Sequence, residues 1–132
     1  MRPALSQGDK IFIDQGYYAT HAMQDGDIVV FRHNDILLIK RISALPGEFI
    51  EGKDGILLRN GKPLNEPYLA PLTDGPIPEL DTFAKRQLPS DQVFVTGDNR
   101  HLSLDSRSEG YGPVYTKDIV GKLAFVYYKH TQ

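Results

Sequence analysis

The chain has 132 residues, 40% hydrophobic and 24% charged, with a formal net charge of -2, which suits one domain with its own core over residues 1–132 and is short for two. No polybasic run is present, which argues against nucleic acid as a partner. There is no cysteine, and His21, His33, His101 and His130 are scattered, so neither disulfides, nor a metal site, nor a cofactor is implied.

Turn residues recur every eight or so positions between short runs of β-branched and aromatic residues, the pattern of a mostly β, antiparallel sandwich or open barrel. Residues 10–14 and 27–32 read as strands, and the second joins through His33-Asn34-Asp35 to residues 36–43 as a hairpin, which puts Lys40 on a paired strand. Segments 47–51 and 55–59 flank Lys53-Asp54-Gly55, and Asn60-Gly61 is the strongest short hairpin signal in the chain. Residues 63–91 hold most of the prolines with little periodicity and read as a long surface excursion. Strand returns at 92–96 and closes the chain at 119–128, where Val120, Leu123, Phe125 and Tyr127 suggest a half-buried face. Helix signals are weak. The apolar runs 28–31, 36–39 and 123–128 are far shorter than the roughly 20 residues of a membrane helix, and no segment reads as a targeting peptide.

Two features carry chemistry. Lys40 ends the apolar run Ile36-Leu37-Leu38-Ile39, where burial would disfavour the ammonium form and leave a neutral amine able to accept a proton. The bland alternative is that Lys40 and Arg41 alternate on a strand with both heads in solvent. Residues 97–107, Gly-Asp-Asn-Arg-His-Leu-Ser-Leu-Asp-Ser-Arg, form a dense cluster of charges and hydroxyls. Asp98, Arg100, Asp105 and Arg107 can be ion pairs fixing a loop, while Ser103 or Ser106 can hydrogen-bond an amine without adding a charge. Asp105 and Arg107 read as scaffolding either way, sharing a strand face at a spacing of two or meeting across a tight turn.

Four blocks then appear in order over nearly the whole chain: Met1-Arg2-Pro3-Ala4-Leu5 with Gly8-Asp9; Gly26-Asp27-Ile28-Val29-Val30-Phe31; Lys40-Arg41-Ile42 with Leu45-Pro46-Gly47-Glu48; and 97–107. In these the chain resembles the catalytic domain of the bacterial type I signal peptidases, in the compact form typical of Gram-positive bacteria. The resemblance implies a serine endopeptidase that removes signal peptides from secreted preproteins at a membrane lipid surface, using a Ser-Lys dyad. It implies a single anchor upstream and a catalytic domain on the extracytoplasmic face of the cell membrane. Lys40 would be the general base and Ser103 the hydroxyl bonded to it, with Asp98, Asn99, Arg100, Asp105 and Arg107 supporting the site. Met1, Leu5 and Ile39 would wall the pockets that accept small substrate side chains. Oligomeric state is left open.

The main departure from the family is at the start, because its nucleophilic serine stands immediately before the residue matching Met1. The expectation is therefore a chain cut just after that serine and inactive as it stands, with a natural or engineered inactive form as the alternative; neither Ser6 nor Ser103 is a replacement. Smaller departures are Ala4, His101-Leu102 and the longer spacing from Arg107 to Gly112-Pro113-Val114. Three other readings compete: a conjugation or pilus processing peptidase with the same dyad, a self-cleaving repressor with Ser-Lys chemistry, and a catalytically inactive signal-peptide-binding homologue.

Overall fold

The computed structural model describes residues 1–2, 4–67, 82–100, 103–108 and 110–130. Pro3, the middle of the proline-rich excursion and His101-Leu102 lie outside the described residues. The described chain runs β1 (Lys10–Asp14), α1 (Tyr17–Thr20), β2 (Ile28–His33), β3 (Ile36–Ala44), β4 (Phe49–Lys53), β5 (Ile56–Arg59), β6 (Lys62–Pro63), β7 (Phe83–Gln87), β8 (Gln92–Thr96), β9 (Val114–Tyr115), a 3-10 turn at Thr116–Asp118, and β10 (Ile119–Tyr128). Two open antiparallel sheets result, one of six strands in the order β1-β10-β2-β3-β8-β9 and one of four in the order β6-β5-β4-β7. No helix among the described residues is long and apolar enough to cross a membrane.

Turn chemistry sets much of this topology. Asn34-Asp35, Asp54-Gly55 and Asn60-Gly61 all take positive φ, and each pair separates directly opposed strand residues: His33 and Ile36, Lys53 and Ile56, Arg59 and Lys62. These are two-residue turns with positive φ at both central positions, the type whose twist matches that of the strands they join.

The core divides across β3 and β8. Val29, Phe31, Ile42, Val93, Val95 and Val114 form one buried cluster, with Leu38 packed against it, and Ala44, Ile50, Leu88 and Phe94 form another. Strand alternation alone would put Ala44 on the face of Ile42. A register shift between Ile42 and Ala44 instead opposes Ala44 to Phe94, so an irregularity at Ser43 lets β3 feed both clusters. At the corner that follows, the Glu48 carboxylate accepts the Leu45 N–H at 2.6 Å and bonds from Arg59 and Asn60. Burial pushes this carboxyl up, but those donors hold it below its ordinary value.

Three expectations need correction. The excursion ends sooner than its composition suggests, because Phe83–Gln87 pairs with β4 and Leu88 is 1% exposed. β7 escaped detection because it is largely exposed beyond Phe83 and carries no alternation. The one-turn α1 sits where no helix was read; its Tyr18 hydroxyl donates to Asp27 at 2.8 Å. The end of β10 is not half-buried: Phe125 and Tyr127 are exposed, and Phe125 stacks on the equally open Phe12 with centroids 5.1 Å apart.

Burial separates the aromatics by consequence. Phe94→Ala, which empties an enclosed site, is expected to cost about 3–5 kcal/mol, and Tyr127→Ala to stay within about 0.5 kcal/mol, as read from denaturant unfolding. Equal costs would contradict the assignment of the two faces.

Candidate functional site

Lys40 shares its strand face with Ile42 of the first cluster and with Leu38, which packs against that cluster, and lies opposite the fully buried Val29 of β2. Its aliphatic stem thus belongs to the apolar face and its amine emerges at the edge, half-buried. The bland sequence reading, with both Lys40 and Arg41 in solvent, is not what the fold shows. The Lys40 Nζ donates to Ser103 Oγ at 2.9 Å, and Arg41 is buried on the opposite face, donating through Nε and Nη2 to both oxygens of Asp98 at 2.9 and 2.7 Å and through Nη1 to the Gly26 carbonyl at 2.9 Å.

The 97–107 cluster is built around Asp105, which is fully buried. Its Oδ2 accepts the Gly97 N–H at 3.0 Å, and its Oδ1 accepts the Arg107 N–H at 3.1 Å and Nε at 2.9 Å. The tight-turn option for Asp105 and Arg107 is therefore the one adopted. The Ser103 hydroxyl also bonds Asp105, which leaves its oxygen to accept from Lys40. Arg107 Nη2 donates to the Arg100 carbonyl at 2.8 Å, and the Asn99 carbonyl accepts the Ser103 N–H at 3.0 Å. Between the two serines the geometry decides: Ser106 Oγ instead accepts the Val95 N–H at 3.0 Å.

Gly97 makes the contact sterically feasible. The register that opposes Arg41 to Thr96 sets Gly97 beside Lys40, and a Cβ built on Gly97 would stand 2.6 Å from Ser103 Cβ and 3.5 Å from Lys40 Nζ. Only hydrogen fits where the serine now lies.

Burial lowers the Lys40 pKa below its ordinary value, while Asp105 raises it and Arg107 lowers it. The last two oppose each other because the carboxylate and guanidinium form a neutral pair, so desolvation prevails. Burial pushes Asp105 up, but Arg107 and the Gly97 N–H together hold it below its ordinary value. The start of the chain approaches the same place, with the Met1 nitrogen within electrostatic reach of Lys40 and Asp98. Asp9 fastens this segment, accepting the Ser6 N–H at 2.9 Å, the His130 N–H at 2.9 Å and the Lys129 ammonium at 2.9 Å; these donors, the Ser6 N–H foremost, bring its pKa down to about 2.

The fold thus gathers Lys40, Ser103, Asp105 and Arg107, with Asp98 and Arg100 bracing from behind and the Met1 nitrogen within electrostatic reach. Leu5 is buried, whereas Met1 and Ile39 are partly exposed, and Ile39 lies on the face opposite Lys40 by alternation. Sequence reasoning missed Arg41 as the partner of Asp98, although its place beside Lys40 on a paired strand was a usable signal. It also missed Glu66, which pairs with Arg100 and has no local signature. Among the described residues no group of three or more His, Asp and Glu could hold a metal ion.

Comparison with known proteins places the chain in a family. The family described as "Signal peptidase, peptidase S26" matches residues 1–128. "Signal peptidase I S" of Bacillus subtilis is 38% identical over 97% of this chain and 72% of its own length, and "Probable signal peptidase I-1" of Synechocystis sp. is 36% identical over 97% of this chain and 66% of its own. A crystal structure of a signal peptidase I from Enterococcus faecalis superposes with a TM-score of 0.62 at 30% identity, covering 79% of this chain and 98% of that one. The chain belongs to the signal peptidase family, peptidase S26.

Two outcomes test the site. Gly97→Ala is expected to destabilise by about 1–3 kcal/mol through overpacking against Ser103, and an unchanged unfolding midpoint would contradict the close approach. Lys40→Met removes the cost of an enclosed ammonium, and the sign follows from linkage. With its folded pKa below the unfolded 10.5, the lysine penalises the fold fully at pH values below the folded pKa and progressively less as pH rises toward the unfolded one. The stability difference in favour of methionine should therefore be largest at neutral pH and shrink toward pH 10.5; a difference independent of pH would contradict the shift.

Proposed function

We propose that residues 1–132 form one catalytic domain of a membrane-anchored serine endopeptidase that removes signal peptides from secreted preproteins, with Lys40 as its general base. The observation that carries this reading is the Lys40 Nζ to Ser103 Oγ bond of 2.9 Å, with the Met1 nitrogen within electrostatic reach of the lysine. The nucleophile is a serine joined to that nitrogen, the position the family resemblance gives it. Neutral Lys40 takes the serine proton as Oγ attacks the scissile carbonyl, and the resulting ammonium gives the proton to the departing amine. Water, deprotonated by the same amine, then releases the acyl group. The oxyanion is met by the serine N–H and a donor just upstream. Ser103 aims the amine, Asp105 and Arg107 hold Ser103 without changing the local charge, and Asp98, Asn99 and Arg100 fix the loop. No cofactor enters the chemistry.

Substrate geometry follows from strand register. β8 opposes β3 only over Arg41 to Ala44, so among the described residues no strand pairs with 36–40 on the side away from β2. An extended signal-peptide end added there would present alternate side chains to pockets walled by Met1, Leu5 and Ile39, which favour small residues at the first and third positions before the cut. The open aromatics Phe12, Phe125, Tyr127 and Tyr128, with Lys10 over Tyr128, suit an extracytoplasmic lipid surface, to which the Phe rings offer apolar area and the Tyr rings an apolar body with a polar tip.

In the protein carrying a serine before Met1, a preprotein should be cleaved, and Lys40→Ala should lower turnover by about 10²–10⁴-fold or more with the fold retained. Because the neutral amine is the active form, turnover should rise with pH through the lowered Lys40 pKa. Undiminished cleavage by Lys40→Ala would remove the lysine from the mechanism, and binding without cleavage by the serine-bearing protein would identify a signal-peptide-binding homologue.

A further inference from the structure

Glu66 lies just after β6, at the root of the proline-rich excursion, where nothing in the local sequence calls for a carboxylate. Its side chain is only 13% exposed and that of its partner Arg100 12%. Arg100 Nη1 donates to Glu66 Oε1 at 3.3 Å and Nη2 to Oε2, while Nε donates to the Gly97 carbonyl at 2.8 Å and Nη2 to Thr96 Oγ1 at 3.0 Å. Thr96 Oγ1 lies 2.6 Å from Ser43 Oγ, at the irregularity in β3. A single guanidinium therefore joins the excursion to the end of β8 and to the glycine against which Ser103 and Lys40 meet.

The Gly97 peptide is gripped from both sides, its N–H by Asp105 and its C=O by Arg100. The first grip comes from a buried ion pair within the loop. The second depends on a side chain 34 residues away. An enclosed guanidinium stripped of its counter-charge turns toward water or toward another acceptor, since an unpaired buried charge is costly, and its hold on the carbonyl goes with it. The fork geometry of the Arg-carboxylate pair fixes orientation as well as charge.

We propose that Glu66 is a positioning residue for the Lys40–Ser103 couple, acting through Arg100 on the Gly97 carbonyl. The proposal rests on the reading of Lys40 as general base. The first turn of the excursion is accordingly part of the site's support, although it touches neither the amine nor the hydroxyl that bonds it.

The test is Glu66→Gln in the intact protein bearing a serine before Met1. The expected result is a kcat lower by about 10- to 10²-fold with KM changed by no more than about threefold, the signature of misplacement rather than lost binding. The acid limb of kcat/KM should move to higher pH, because an amine loosened from its apolar wall gains water, and the NMR titration of the Lys40 ε-carbon should move the same way. Glu66→Asp, which keeps the charge on a shorter stem, should fall between the two; it carries the test if the glutamine variant does not fold, and a wild-type profile there would overturn the proposal. Unchanged kcat and limb with only a lower melting temperature would make Glu66 a mere staple of the excursion and overturn it. A limb moved to lower pH would show a lost negative charge acting at a distance, and overturn it too. A shifted Lys40 titration with full turnover would uphold the positioning and sink the general-base reading instead.

Discussion

The structure depends on one lysine amine held at the edge of an apolar strand face. Lys40 stands between Leu38 and Ile42 and opposite Val29, a setting that favours the neutral form, yet it is given one hydroxyl acceptor at 2.9 Å and no net neighbouring charge. A bare carboxylate in place of Ser103 would hold the amine as an ammonium. A wholly apolar pocket would leave it unaimed. Ser103 backed by the neutral Asp105–Arg107 pair avoids both, and it explains why two buried charges are kept behind a single hydroxyl. Removing either partner of such a pair leaves an uncompensated buried ion, with a cost of about 3–5 kcal/mol.

Strand alternation organises the rest. Successive residues of β3 face opposite sides, so Lys40 turns to Gly97 and Ser103 while Arg41 turns to Asp98 and the Gly26 carbonyl. The same two-residue stretch thereby presents a lysine of lowered pKa on one side and a firmly paired guanidinium on the other. The irregularity at Ser43 then sends β3 into the second core cluster, anchoring the strand a few residues beyond the amine. Asp9, with Lys129 and His130, fastens the N-terminal segment to the other end of the chain and so sets the approach of Met1.

Much of this was legible in the residues. The strands with a buried face and a turn of Asn, Asp and Gly at one end were read within a residue or two, since alternation and positive-φ turn chemistry are local signals. The cation after the Ile36–Ile39 run and the hydroxyls at 97–107 likewise marked the site, because each conflicts with its local setting. What escaped was nonlocal. β7 is exposed beyond Phe83, so its existence depends on β4 rather than on its own pattern. Arg41 and Glu66 take their meaning from partners 57 and 34 positions away. Phe125 and Tyr127 were misread as half-buried because composition favours a strand but does not say whether anything covers it.

The most direct measurement is the protonation equilibrium of the Lys40 amine itself, followed by NMR at the ε-carbon across the alkaline range in the folded protein. The expected result is a midpoint clearly below the ordinary 10.5, with a further change when Ser103 is replaced by alanine. A midpoint at or above 10.5, indifferent to Ser103, would contradict it.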